Sequence, residues 1–130
     1  LKLITEHPQL LSRILIAVVA VIIAPLLEEM LFRGLFQTTI RSYIEAFRPL
    51  IASSNKPEKE QTTNRNGPWL AIVISSVLFT MTHNNTGHWP ALFVLGVCLG
   101  YSYEKSGSLF RPIFIHAIFN ATSVIATLIK

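Results

Sequence analysis

Apolar residues along this chain gather into four stretches, each opened or closed by residues that start or stop a helix. Segment A covers residues 14–27, with Leu10 and Leu11 before it and Met30, Leu31, Phe32, Leu35 and Phe36 continuing beyond; B covers 69–82, C 89–103 and D 109–129. Pro68, Pro90 and Pro112 fall in the first turns of B, C and D, where a missing N–H costs nothing and the fixed φ suits a helix. Trp69 and Trp89 sit at the same ends, where an amphipathic ring favours a membrane interface. Gly96 and Gly100 give C a small-xxx-small face for close helix packing. A membrane-spanning helix needs about 20 mostly apolar residues. A and D meet that length, whereas B and C are short and fit a thinned or tilted bundle or a buried core. The expected fold is all-α, a polytopic transmembrane bundle of about four helices.

Between A and B the pattern breaks. Residues 48–67 carry Ser53, Ser54, Asn55, Lys56, Glu58, Lys59, Glu60, Asn64, Arg65 and Gly67, which reads as a solvated insert preceded by an amphipathic helix through Phe47. No internal repeat is present. At 130 residues the chain is one domain by length. It opens on Leu1 and shows no charged n-region followed by a small-residue cleavage site, so it reads as a piece of a longer polypeptide without a signal peptide.

Composition sharpens the class. The chain is 51% hydrophobic and 14% charged with a mean hydropathy of +0.48, which argues against an ordinary soluble domain and against disorder. Eleven Lys and Arg face seven Glu and no Asp, for a formal charge of +4. The bases flank apolar runs instead of lining one stripe, so a nucleic-acid partner is not expected. Seven of them fall in the A–B and C–D loops, which by positive-inside logic face the cytoplasm. The single Cys98 excludes an internal disulfide framework and a Cys-x-x-Cys site, and its place beside the glycines of C reads as packing.

Ionisable residues inside apolar segments are functional candidates, because a charge near mid-membrane costs about 2.5–3.5 kcal/mol on insertion scales. Glu28 and Glu29 end the apolar run of A, and Arg33 follows at i+4 from Glu29, in range of an ion pair. Pro25 lies one turn earlier; in α geometry its missing N–H frees the carbonyl of Val21 and kinks the helix. Phe79 and His83 lie one turn apart at the end of B, and His116 and Asn120 do the same in D. Measured from the basic-loop face at ~1.5 Å per residue, Glu28 lies roughly 20 Å deep, His83 roughly 22 Å, and His116 and Asn120 roughly 10 and 16 Å. Three helices thus bring a carboxylate, two imidazoles and an amide to overlapping depths.

That set suits amide hydrolysis. A carboxylate in a low-dielectric site is a stronger base than one in water, so Glu28 can take a proton from water while His83 holds that water. His116 and Asn120 can donate to the oxygen that turns negative when water attacks a carbonyl. A metal reading uses part of the same set: His83, His116 and Glu28 or Glu29 match a two-His, one-carboxylate zinc hydrolase. No His-Glu-x-x-His unit supports it, so the expected cofactor is none, with a divalent metal such as zinc as the alternative.

Glu28-Glu29-Met30-Leu31-Phe32-Arg33, then Phe79-x-x-x-His83, then His116-x-x-x-Asn120 resemble, in order, the EExxxR, FxxxH and HxxxN motifs of the CPBP family, which includes type II CAAX prenyl proteases and bacteriocin-processing or immunity-related membrane proteins. Gly34 and the run from Tyr103 through Leu109 to Pro112 are similar to that family as well. The resemblance implies an intramembrane endopeptidase with Glu28 activating water, His83 assisting and His116 with Asn120 forming the oxyanion hole. It also implies that Glu29, Arg33 and Phe79 support the site. The implied partner is a peptide or protein substrate, lipidated at its C-terminus in the prenyl-processing members, together with membrane lipid. The implied location is a multi-pass position in the plasma membrane of a prokaryote, with further helices upstream. The alternative from a different class is a non-catalytic immunity or assembly protein that binds a peptide or partner at the same polar site. A transporter segment with a proton relay is a third reading, which the lack of inverted repeats disfavours.

Overall fold

The computed structural model describes residues 8–51 and 66–129, and every regular element among them is helical. The first long rod is built of five consecutive pieces: α1 (Pro8–Val18), a π segment π1 (Val19–Ile23), α2 (Ala24–Glu29), a second π segment π2 (Met30–Gln37) and α3 (Thr38–Ile51). Then come α4 (Asn66–Met81), a 3₁₀ turn (Thr86–His88), α5 (Trp89–Ser106) and α6 (Phe110–Leu128). The all-α class read from the sequence is the class observed. Helix termini differ from expectation around the polar insert. Residues 48–51 continue α3 and 66–67 open α4, while 52–65 lie outside the described residues.

The widened turns have a local cause. The Ala24 N–H reaches back to the Val19 carbonyl, five residues away, so the ring is one residue larger than an α turn. In that register the carbonyl facing Pro25 is that of Ala20, not the Val21 expected from α geometry. At the other end of the bundle α5 stops at Gly107, whose φ of 63° is left-handed and costs a glycine nothing. Its N–H closes the helix on the Tyr103 carbonyl at 2.8 Å.

The bundle is polar inside and apolar outside. Among the described residues the buried interior holds Glu29, Arg33, Gln37, Ser75, Ser76, Thr80 and His116 beside the hydrophobics Phe32, Ala71, Ile72, Phe79, Leu95 and Leu99. Along α4 the pairs 71–72, 75–76 and 79–80 face inward, while Val73, Ile74, Val77, Leu78 and Met81 face out. A soluble protein inverts that arrangement. Lipid does not, because apolar surface gains nothing by leaving hydrocarbon and polar groups must be paired within the bundle. One helical stretch among the described residues, Gln9–Phe47, is both long and apolar enough to cross a membrane, and only 6% of its most apolar window is buried. That low burial excludes the core helix of a soluble protein. Segment D forms the 19-residue α6, a length within the range that spans a membrane, with Arg111, His116 and Asn120 inside it; α4 is apolar but short.

Close approach of the helices depends on the two glycines of α5. A Cβ on Gly96 would stand 3.0 Å from the Ser76 Cβ, and one on Gly100 would stand 2.9 Å from Gln37 Oε1 and 3.0 Å from Ile72. Freed of side chains, the α5 backbone receives donors from the first rod. Arg33 Nη2 donates to the Gly96 carbonyl at 2.9 Å and Gln37 Nε2 to the Gly100 carbonyl at 3.1 Å. One turn further on, Arg41 pairs with Glu104 at the edge of the bundle. Successive donors and successive acceptors are each four residues apart, so the first rod and α5 run parallel in fixed register. The polar residues that would be costliest in lipid are the ones that join the helices.

Candidate active site

The end of α2, the end of α4 and the first half of α6 converge on a cluster of ionisable and aromatic side chains. Glu29 and Arg33 are both completely buried and form the expected i,i+4 ion pair, with Arg33 Nη1 donating to Glu29 Oε1 at 3.1 Å and Arg33 Nε 3.1 Å from Oε2. A buried charge must be paired, and Glu29 and Arg33 pair with each other. Glu29 Oε1 also meets His116 Nδ1 at 2.9 Å. A carboxylate can only accept, so Nδ1 carries the hydrogen and His116 Nε2 faces away from Glu29. On that far side stands Glu28, with Oε2 3.6 Å from Nε2, beyond hydrogen-bond range. His116 is thus held between the two acids, gripped by one and facing the other.

The two glutamates differ in what they can reach. Glu29 has no exposed side-chain surface, whereas 31% of the Glu28 side chain is open. Glu28 Oε2 is itself buried and has no hydrogen-bond partner. A buried carboxylate oxygen without a donor is costly. Glu29 Oε2 also lacks a hydrogen-bond partner but lies 3.1 Å from Arg33 Nε, so Glu28 Oε2 is the one of the two not held by the arginine and able to take a water or a substrate group.

Phe79 is the hub of the cluster. Its ring meets His83 edge-on at 5.1 Å between centroids, His116 at 5.6 Å and Phe32 at 5.3 Å. The Arg33 guanidinium lies 5.0 Å from its centre, a cation–π arrangement. Phe79 also fixes His83 through its backbone: His83 Nδ1 lies 3.1 Å from the Phe79 carbonyl. Because a carbonyl can only accept, Nδ1 is the protonated nitrogen and Nε2 is left with its lone pair. His83 is half-buried, just past the end of α4. The indole N–H of Trp89 donates to its backbone carbonyl at 2.9 Å, tying that short turn to the start of α5.

Of the residues singled out from the sequence, Glu28, Glu29, Arg33, Phe79, His83 and His116 come together in this cluster. His83 reaches it through Phe79; among the described residues its side chain makes no hydrogen bond to either glutamate. Asn120, one turn beyond His116, bonds elsewhere. Its Nδ2 donates to the Ala20 carbonyl in π1 at 2.8 Å, the carbonyl that Pro25 leaves without a backbone partner. The zinc alternative built on Glu28, His83 and His116 gains no geometric support: among the described residues no three His, Cys, Asp or Glu side chains gather as metal ligands. Sequence reasoning missed Gln37 and Ser75, and read Trp89 as an interface ring without its bond to the His83 carbonyl. Ser75 Oγ donates to the Phe32 carbonyl in π2 at 2.9 Å, so each π segment has a carbonyl taken by a side chain from another helix. Gln37 had a signal, since it continues the row Glu29, Arg33, Gln37, Arg41 at intervals of four.

No curated protein and no solved structure matches the chain. A family profile does, described as type II CAAX prenyl endopeptidase Rce1-like, and it matches residues 10–122. That span contains the first rod from its third residue, Glu28 and Glu29, His83 and His116, and Asn120, and makes the protein an integral membrane protease acting on peptide or protein substrates: the chain belongs to the Rce1-like type II CAAX prenyl endopeptidase family.

Proposed function

We propose that the chain is the catalytic core of a multi-pass intramembrane endopeptidase in which Glu28 is the general base. The observation that carries this reading is the asymmetry of the two acids about His116. Glu29 is sealed and committed to Arg33 and His116, while Glu28 is partly open with an unpartnered oxygen. Glu28 takes a proton from a water whose other contact is the free Nε2 of His83. The resulting hydroxide forms a C–O bond to the scissile carbonyl carbon, and the carbonyl electron pair moves onto oxygen. His116 Nε2–H and the second Asn120 amide hydrogen donate to that oxyanion. Collapse breaks the C–N bond, and the proton on Glu28 passes to the leaving amine.

His116 can donate from Nε2 only when both its nitrogens carry hydrogen. The Glu29 carboxylate orients the imidazole through Nδ1, and Arg33 in turn holds Glu29. The supporting residues thus act on the oxyanion hole through His116. Membrane placement follows from charge: Arg13 and Arg41 lie 28 residues apart in the first rod, roughly 40 Å, which matches a hydrocarbon core plus its interfaces. Glu28 falls midway between them. The remaining helices, bonded to this rod through its buried polar row, share the same depth, and the C-terminal lipid of a prenylated substrate would stay in the bilayer beside the site.

The test is cleavage of a panel of farnesylated and unprenylated reporter peptides by the full-length protein in proteoliposomes, wild type beside Glu28→Gln, each with and without a strong chelator. Losing a positioned general base lowers the rate by about 10²–10⁴-fold. Glu28→Gln at full activity would overturn the assignment, and loss in chelator would return the zinc alternative. A wild type that cleaves nothing in the panel would favour the non-catalytic reading, in which the cluster binds a peptide without hydrolysing it.

A further inference from the structure

Pro25 is completely buried in α2 and has no part in the proposed chemistry, yet its missing N–H bears on what Asn120 bonds to. In π1 the Ala24 N–H is already used on Val19. Continuing the register, the Ala20 carbonyl meets residue 25, which has no hydrogen to give. A backbone carbonyl left alone inside a bundle is costly. Asn120 Nδ2 supplies the missing donor at 2.8 Å. A primary amide has two hydrogens in one plane, so tying one to a fixed carbonyl sets the plane and the direction of the other.

We infer that Pro25 is a positioning residue for Asn120: by leaving the Ala20 carbonyl open it holds one amide hydrogen of Asn120 and thereby aims the second, as Glu29 holds one nitrogen of His116 and leaves the other facing Glu28. His116 and Asn120, one turn apart on α6, are each anchored to the first rod, one through a side chain and the other through a carbonyl exposed by proline. The inference rests on the oxyanion role proposed above for Asn120, but the contact itself can be judged without activity.

The experiment is a double-mutant cycle in the full-length protein in bicelles, using Pro25→Ala, Asn120→Ala and both together. Restoring an N–H at position 25 gives the Ala20 carbonyl a backbone partner in either register: the new N–H itself in a π turn, or the N–H of Ala24 if the segment relaxes to α. The packing lost with the proline ring occurs whether or not Asn120 is present, so it cancels in the cycle. Asn120→Ala is expected to lower the unfolding temperature in the wild-type background and to lower it by less than half as much in the Pro25→Ala background. Equal shifts in the two backgrounds would overturn the inference.

With a farnesylated reporter, Pro25→Ala is expected to reduce kcat at least tenfold with KM unchanged, and to have no further effect on Asn120→Ala. A merely structural proline would lower the amount of folded enzyme and leave kcat per folded molecule intact, which would also overturn it. Full activity of Asn120→Ala would instead refute the oxyanion role, and the stability cycle would still decide whether Pro25 governs the contact.

Discussion

Replacing Arg33 by methionine removes the cation at the centre of the bundle while keeping most of the volume of its stem. The structure gives Arg33 three attachments: the Glu29 carboxylate at 3.1 Å, the Gly96 carbonyl at 2.9 Å and the face of Phe79 at 5.0 Å. Both members of the ion pair are fully buried, so solvent does not screen the loss. Without Arg33, Glu29 must either remain a buried charge facing only His116 or take up a proton and weaken its hold on Nδ1. Breaking one side of a buried pair costs about 3–5 kcal/mol. The Gly96 carbonyl, left without its charged donor, contributes within that range and not on top of it, since the effects share one side chain. Neutralising the partner as well removes the orphaned charge. The double variant Glu29→Gln with Arg33→Met is therefore expected to cost at least ~1 kcal/mol less than the sum of the single changes. Equilibrium unfolding of the full-length protein in bicelles measures all four corners of the cycle. If Arg33→Met alone stays within ~1 kcal/mol of wild type, or the two changes add, the ion pair is not what holds this interior together.

Four further outcomes follow from contacts already described. Gly96→Ala forces a Cβ to within 3.0 Å of the Ser76 Cβ and should destabilise by about 1–3 kcal/mol; Gly107→Ala meets no atom within 4 Å but strains a φ of 63°, at about 1 kcal/mol, both readable by unfolding. Trp89→Phe keeps the ring but removes the hydrogen bond to the His83 carbonyl, so the cleavage rate should fall while stability drops by no more than about 1.5 kcal/mol; an unchanged rate would show that the turn is held some other way. Arg41→Gln breaks the pairs to Glu45 and Glu104, which are partly open to solvent, and should change stability by less than ~1 kcal/mol; a larger loss in an unfolding assay would mean that the row of donors acts as one unit.

Much of this arrangement was legible because lipid simplifies the pattern. An acid, a base or an amide inside an apolar run stands out, and the spacings 29/33, 79/83 and 116/120 place each pair on one helix face before any contact is known. The glycines of segment C were equally visible as a packing face. Their second use, exposing carbonyls to Arg33 and Gln37, was not, since a backbone acceptor leaves no mark in the sequence. The same blindness explains Ala20 and Phe32, whose carbonyls are taken by Asn120 and Ser75. Segment D kept its expected length as a helix of 19 residues with Arg111, His116 and Asn120 inside it.

The π segments connect these observations. An α turn advances by fewer than four residues and a π turn by more, so a row at intervals of four drifts around a uniform helix but stays on one face where the two alternate. Glu29, Arg33, Gln37 and Arg41 form such a row across π2, and this lets consecutive members reach His116, Gly96, Gly100 and Glu104 on two neighbouring helices. Converting π2 to regular α-helix would rotate the far end of the row away from α5 even if every side chain were kept. The register of the backbone, as much as the identity of the motif residues, therefore sets which α5 partners the row behind the sealed acid can reach, and a single-residue deletion within 30–37 should abolish cleavage more completely than Gln37→Ala. Equal losses in the two variants, measured per folded molecule, would show that the side chains suffice and the widened turns are incidental.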